Sequence, residues 1–296
     1  VLYANAANTD LLGARIDTLL GDAPDTVMSA AKPIQPATVG DHDPLEVLSV
    51  HGLSYRFPTS GRGVENVDLT LRRGGVMIIT GRVGSGKTTL LRAMLGLLPA
   101  QTGQIRWNGD LIADPATFFT PPRAAYTAQS PRLFSETIRD NITMGVEADD
   151  KAVRSAIEHA ILEDDVARLE AGLETLVGTR GVTLSGGQVQ RAAAARMFVR
   201  GPDLLVFDDA SSALDVQTEQ LFWERMFASG RHTCLAVSHR LEAYRRADEI
   251  ILLEEGKIAA RGDLRTLMRD SKLFREIWHE TSHAPAAETK PASPAV

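Results

Sequence analysis

The sequence contains one cysteine in 296 residues, so no disulfide can form within the chain. That residue, Cys234, sits in the apolar run Thr233-Cys-Leu-Ala-Val237 and reads as a buried structural thiol in a chain suited to a reducing compartment. Long apolar runs are also missing. No stretch approaches the about 18–20 apolar residues that a membrane-spanning helix requires, and none reads as a secretory signal. Positive charge is in deficit, with 32 Lys and Arg against 38 Asp and Glu, which gives a net −6 and no general footprint for nucleic acid. His51, His159, His232, His279 and His283 have no metal-ligand spacing and read as surface or structural residues.

What is present is organised around Gly81-Arg-Val-Gly-Ser-Gly-Lys-Thr88, followed by Thr89. This is the phosphate-binding pattern of Gly, four residues, Gly-Lys and Ser or Thr. The run Gly75–Thr80 before it predicts a buried parallel strand, and Thr88–Leu98 after it has apolar residues at helical spacing. Gly81, Gly84 and Gly86 permit backbone shapes that turn successive N–H groups into one concavity, to which the helix start adds its positive dipole end. Lys87 can reach the β- and γ-phosphates, and the Thr88 hydroxyl can ligate Mg²⁺. Leu204–Asp208 is an apolar strand that ends in a carboxylate, a hard oxygen for the same ion.

The chain reads in order as follows. Residues 1–21 contain an amphipathic helix, and residues 22–44 are a Pro-, Ala- and Asp-rich linker. Glu46–Phe57 and Val64–Leu71 are strand-like, and Gln101–Ile112 reads as a hairpin with an Asn-Gly turn. Ala124–Ala128 is a short strand, and about 135–200 is mostly helical. A helix at about 216–228, strands at 203–209 and 233–238, a strand pair around Glu254–Gly256 and helix over 264–281 follow. Residues 282–296 form a disordered Ala/Pro-rich tail. Alternation of strands and helices predicts an α/β class with a parallel sheet under helical cover.

A second backbone-rich anion site lies at Leu184-Ser-Gly-Gly-Gln188, ahead of a helix. Taken alone it is equally an ordinary helix cap and turn. The phosphate loop at 81–88, Gln129, LSGGQ at 184–188, Asp208 and His239 together resemble, in order and spacing, the ATP-binding cassette (ABC) ATPases. The resemblance covers about residues 45–270.

That resemblance implies an ABC ATPase fold over residues 45–281: a RecA-like phosphate-loop core, an antiparallel β-subdomain and a helical insert at about 135–200. It implies ATP and Mg²⁺ as cofactors and two cassettes closing head to tail. Gly81, Val83, Gly84, Ser85, Gly86, Lys87, Thr88 and Thr89 then hold the nucleotide. Phe57 stands where the family stacks an aromatic on adenine, with Tyr55 the competing candidate. Thr88, Gln129 and Asp208 are implied as metal ligands, and Asp209, His239 and Gln129 as catalytic. Ser185, Gly186, Gly187, Gln188 and Asp215 would act in trans, on the nucleotide of the partner cassette.

Smaller features resemble exporters. These are Gln129–Phe134 with Thr137–Ile142, Leu176–Gly181 (Thr179 replacing the usual Glu), and Gly13–Leu20 as the run-out of a transmembrane helix. The chain begins at Val1 and is read as the cytoplasmic-face part of a longer membrane subunit, partnered by a transmembrane domain and with no role on nucleic acid. A soluble ABC ATPase acting on nucleic acid or ribosomes is the alternative, and it lacks a tandem cassette, a zinc motif or a basic arm here. A phosphate-loop kinase gives no reason for LSGGQ. One departure matters: Asp209 stands where the family normally has Glu, one methylene longer. The expectation is slow hydrolysis at this site, and resemblance favours a heterodimer over a homodimer. Asn141-Ile-Thr143 fits the glycosylation pattern, which a cytosolic domain would never use.

Overall fold

A computed structural model describes residues 43–178, 181–209, 213–228 and 232–282. The amphipathic segment at 1–21, nearly all of the linker, Thr179 and the tail beyond Ser282 lie outside the described residues.

Strands β1 (Val47–Arg56) and β2 (Gly63–Arg72) alternate buried and exposed positions and pair antiparallel, with Leu48 opposite Leu71 and Val50 opposite Leu69. Strands β4 (Thr102–Trp107) and β5 (Asp110–Leu111) form the expected hairpin, with positive φ at both Asn108 and Gly109. These strands make one antiparallel sheet in the order β2-β1-β4-β5. The end of the proposed linker is already fixed to it: Trp107 Nε1 donates to the Asp43 carbonyl at 3.0 Å, and Asn108 Nδ2 to the Pro44 carbonyl at 2.8 Å.

The second sheet combines β3 (Val76–Thr80), β6 (Ala124–Thr127), β7 (Leu204–Asp208), β8 (Thr233–Val237), β9 (Glu249–Glu254) and β10 (Lys257–Gly262), in the order β10-β9-β3-β8-β7-β6. All its pairings are parallel except β9 with β10. Both faces are covered, which is why β3, β7 and β8 read as continuous apolar runs. Met77, Ile79, Val206 and Leu235 face the antiparallel sheet and helix α1 (Lys87–Met94). Ile78, Leu205, Ala236 and Ile250 face a helical layer.

That layer includes α3 (Ile138–Thr143), α4 (Asp150–His159), α5 (Glu163–Ala167) and α6 (Gly186–Phe198), which fill the segment expected to be helical. A four-residue helix α2 (Pro115–Phe118), capped by Asp114, precedes β6. Helices α7 (Val216–Ala228), α8 (Leu241–Arg246), α9 (Leu264–Asp270) and α10 (Lys272–Ser282) complete the described elements.

Three expectations need correction. The helix after the phosphate loop stops at Met94 rather than Leu98. Gly96 turns at φ +71°, and a Cβ there would lie 2.3 Å from the Ala116 backbone nitrogen. The helix over 264–281 is two helices, because Ser271 leaves helical geometry and its hydroxyl accepts from Phe274 N to start the second. That second helix runs through Ser282, where the tail was expected to begin.

Candidate nucleotide-binding site

The phosphate loop joins the C-terminal end of β3 to α1 in the sheet-centre position that the apolar run requires. Gly81, Gly84 and Gly86 take φ of +144°, +82° and +104°. A Cβ on Gly81 would lie 2.2 Å from the Leu253 carbonyl oxygen, and one on Gly86 would lie 2.9 Å from Val64, so both positions require glycine. The loop is pinned to the β9–β10 turn by Gly256 N–H donating to the Ser85 carbonyl at 3.0 Å. Val83 is 99% exposed at the loop apex, while Thr89 is half-buried on α1. Lys87 Nζ donates to the carbonyls of Gly81 (2.7 Å) and Arg82 (3.0 Å), which lays the ammonium along the cradle. Burial pulls its pKa down, with Asp209 and Asp208 opposing.

Asp208 ends β7, next to β8 in the sheet, and both of its oxygens are engaged. Thr88 Oγ1 donates to Oδ1 at 2.9 Å and Tyr126 Oη to Oδ2 at 3.3 Å. Burial raises its pKa, and those two bonds together with Arg92 and Lys87 pull it back. A hydroxyl and a carboxylate meeting at the mouth of a glycine loop form a hard-oxygen donor set suited to Mg²⁺. The Ser85 hydroxyl is buried there without a hydrogen-bond partner, a polar atom that a phosphate oxygen would satisfy. Among the described residues no cluster of three or more His, Cys, Asp or Glu forms a metal site of its own.

Asp209 follows with φ +58°, its N–H donating to the Val237 carbonyl, which aims the side chain at Gln129, whose Nε2 lies 3.5 Å from Oδ2. Burial pushes the Asp209 pKa up to about 6, with Arg240 as the main opposing charge. His239 leaves β8 and faces Thr80 Oγ1 at 3.5 Å from Nδ1. Its pKa falls to about 4 through burial and the nearby cations Lys87 and Arg240, so the imidazole is neutral at neutral pH. The aromatic alternatives separate: Tyr55 is 7% exposed and belongs to the core, whereas Phe57 is 36% exposed and meets Tyr55 only edge-on.

The LSGGQ residues form a constellation of their own. Ser185 caps α6 in a reciprocal box with Gln188: Gln188 N–H donates to Ser185 Oγ, and Ser185 N–H to Gln188 Oε1. Gln188 Nε2 also donates to Asp165, which pairs with Arg191 at 2.6 Å. Gly186 is exposed and Gly187 half-buried beside Ala213. Gln190 Oε1 accepts from Ala213 N–H, tying this helix to the segment bearing Asp215. Asp215 caps α7 through Gln217 N, Thr218 N and Thr218 Oγ1, and these bonds lower its pKa.

Sequence reasoning missed Tyr126, Thr80 and Tyr244. Tyr126 and Thr80 are hydroxyls on apolar strands and Tyr244 is one on a short charged helix, and in each case the partner lies far along the chain. It also named Asn141 only as a glycosylation pattern. Asn141 is 1% exposed and its amide is spent on backbone groups of Phe134 and Thr137, so no glycan can be attached in the folded state.

A glycine loop on a parallel sheet, an acidic strand end, a separate LSGGQ cap and an antiparallel side sheet define a phosphate-loop ATPase of the ABC class. The sequence matches the family described as ABC transporter over residues 64–212, and the chain belongs to that family. Members of the family bind ATP and in general hydrolyse it. The chain is 35% identical over 247 residues to a probable multidrug resistance ABC transporter ATP-binding/permease protein of Bacillus subtilis, covering 82% of this chain and 42% of that protein. It is 35% identical over 271 residues to the multidrug resistance-like ATP-binding protein MdlA of Escherichia coli, covering 90% and 44%. Among solved structures it resembles a bacterial Atm1-family ABC exporter with ATP bound, with a TM-score of 0.77 and 29% identity, covering 95% of this chain and 49% of that one. The chain thus spans less than half the length of these relatives. No described helix is long and apolar enough to cross a membrane.

Proposed function

We propose that this chain is the ATP-driven motor of an ABC exporter, paired head to tail with a second cassette on the cytoplasmic face of a membrane and coupled to a transmembrane domain. The observation that carries the reading is the Thr88–Asp208 bond of 2.9 Å at the mouth of the glycine loop. It joins two hard-oxygen donors from separate elements where a nucleotide-bound cation needs them. Thr88 and Asp208, with Gln129, would hold Mg²⁺, which supplies charge neutralisation between the phosphates. The loop N–H groups and Lys87 bind the phosphate chain, and Phe57 covers the base. Ser185, Gly186, Gly187, Gln188 and Asp215 serve the nucleotide of the opposite cassette. The relatives' exporter names favour this reading over a soluble ABC ATPase acting on nucleic acid or ribosomes.

Asp209 orients or deprotonates the attacking water and His239 meets the terminal phosphate. The missing methylene at Asp209 withdraws the carboxylate by roughly 1 Å, a misplacement that costs on the order of 10²-fold in a positioning-dependent step. ATP therefore binds well and turns over slowly, and the partner is a different cassette whose own glutamate acts with this chain's LSGGQ. Steady-state ATPase activity of the chain beside Asp209→Glu tests this. A much faster variant supports the weakened site, while equal and substantial rates overturn it in favour of a competent homodimer.

A further inference from the structure

His239 has a neighbour arrangement that its motif does not predict. Thr80 is the last residue of β3, and His239 leaves the adjacent parallel strand β8. Tyr244 lies on α8, one turn beyond His239. Its ring is held by Phe274 (centroids 5.3 Å apart) and Trp278 (6.0 Å) of α10. That packing delivers the hydroxyl to Thr80 Oγ1 at 2.6 Å, and the same Oγ1 faces His239 Nδ1 at 3.5 Å. Thr80 is 0% and Tyr244 1% exposed, so water is excluded from the bond between them.

Protons can be placed along this chain of atoms in three ways. If Nδ1–H and the Tyr244 hydroxyl both donated to Thr80 Oγ1, the threonine proton would have no acceptor among the described residues. If Nδ1–H donated to Thr80 and Thr80 to Tyr244, the tyrosine proton would have no acceptor, because Thr80 is its sole hydrogen-bond partner among the described residues. A buried donor left unmade is costly. If Tyr244 donates to Thr80 and Thr80 to Nδ1, every proton is used and Nδ1 must be bare. We propose that Thr80 and Tyr244 are positioning residues that hold His239 in the tautomer protonated at Nε2, leaving Nε2–H free to donate to a terminal phosphate oxygen. The assignment deepens the phosphate role given to His239 above and rests on it for function, but not for the tautomer. The surroundings agree: burial, and after it Lys87 and Arg240, disfavour a second proton on the ring, so one N–H is all it has to offer. The 3.5 Å Thr80–Nδ1 separation lies at the long end of hydrogen-bond distances, whereas the 2.6 Å Tyr244–Thr80 contact is short.

The test is the long-range ¹H–¹⁵N spectrum of the histidine-labelled 296-residue chain, with the His239 signals assigned by their loss in His239→Gln. The expected pattern has Nε2 protonated and Nδ1 unprotonated. Tyr244→Phe keeps the ring against Phe274 and Trp278, and Thr80→Val keeps the strand. Each should shift the His239 nitrogens towards tautomer averaging and narrow the preference for ATP over ADP by roughly fivefold. A wild-type spectrum protonated at Nδ1 overturns the proposal, as do His239 nitrogens unmoved in both folded variants. A wild-type chain that does not prefer ATP over ADP, yet shows the Nε2 tautomer, overturns the phosphate role and leaves the tautomer assignment standing.

Discussion

Asn141 and Phe134 clasp each other twice: Asn141 Oδ1 accepts from the Phe134 N–H at 2.7 Å, and Asn141 Nδ2 donates to the Phe134 carbonyl at 3.0 Å. The amide also donates to the Thr137 carbonyl, and Arg196 donates to the Asn141 carbonyl at 2.7 Å. The segment after Gln129 is thereby fastened to α3 and to the far end of α6. Asn141→Ala leaves the part-buried Phe134 N–H without its acceptor, while the Phe134 and Thr137 carbonyls keep the N–H groups of Glu136 and Asn141, and the change is expected to cost about 1–3 kcal/mol, read as a lower urea midpoint. Wild-type stability in that variant would show that the clasp is dispensable.

Asp209 gives a pH signature. Its pKa is raised from 3.8 to about 6 by burial, so the folded state binds a proton more readily than the unfolded chain. The associated stability is present below 3.8 and lost as pH rises through about 6. Asp209→Asn, neutral at every pH, should therefore melt higher than wild type above pH 6, and the gap should close towards pH 4. Differential scanning calorimetry at a series of pH values checks this, and a constant gap would contradict the raised pKa.

Phe57 and Tyr55 can be told apart by one pair of variants. Tyr55 is core, so Tyr55→Ala should destabilise by about 3–5 kcal/mol. Phe57 is more exposed and free to stack, so Phe57→Ala should leave the melting curve almost unchanged and weaken ATP binding by roughly fivefold. Binding of a fluorescent ATP analogue, followed beside circular dichroism, separates the two effects. Unchanged affinity in Phe57→Ala would remove it from the base site.

Tyr126 holds the second oxygen of Asp208, with the Arg92 guanidinium close by. Tyr126→Phe frees Oδ2 to rotate away from the donor set, with an expected roughly fivefold loss of divalent-cation affinity in the ATP complex. Mn²⁺ titration followed by electron paramagnetic resonance measures that loss directly.

Legibility in the sequence followed chain locality. The phosphate loop and its flanking strand were readable because strand, glycines, lysine and threonine are contiguous, and Asp208 because an apolar strand announces itself. Gly96 ended α1 early owing to the Ala116 backbone, 20 residues on, which no periodicity reveals. Tyr126 and Asp208 are 82 residues apart, and Thr80 and Tyr244 are 164 apart. A hydroxyl at such a distance looks like any other residue of a strand or helix until the sheet order is known. The split at Ser271 carried a legible signal, a serine three residues ahead of Phe274, that helical periodicity on both sides concealed.

Cys234 lies on β8 with no solvent exposure, and burial pushes its thiol well above the ordinary range. Maleimide and methanethiosulfonate reagents need an exposed thiolate, so the native chain is chemically silent towards them. A cysteine placed at Val83 or Gly186, both exposed, would be the single reactive thiol. Spin or fluorophore labels on the loop apex and on the signature cap could then report the distance across a cassette pair without prior removal of the native cysteine.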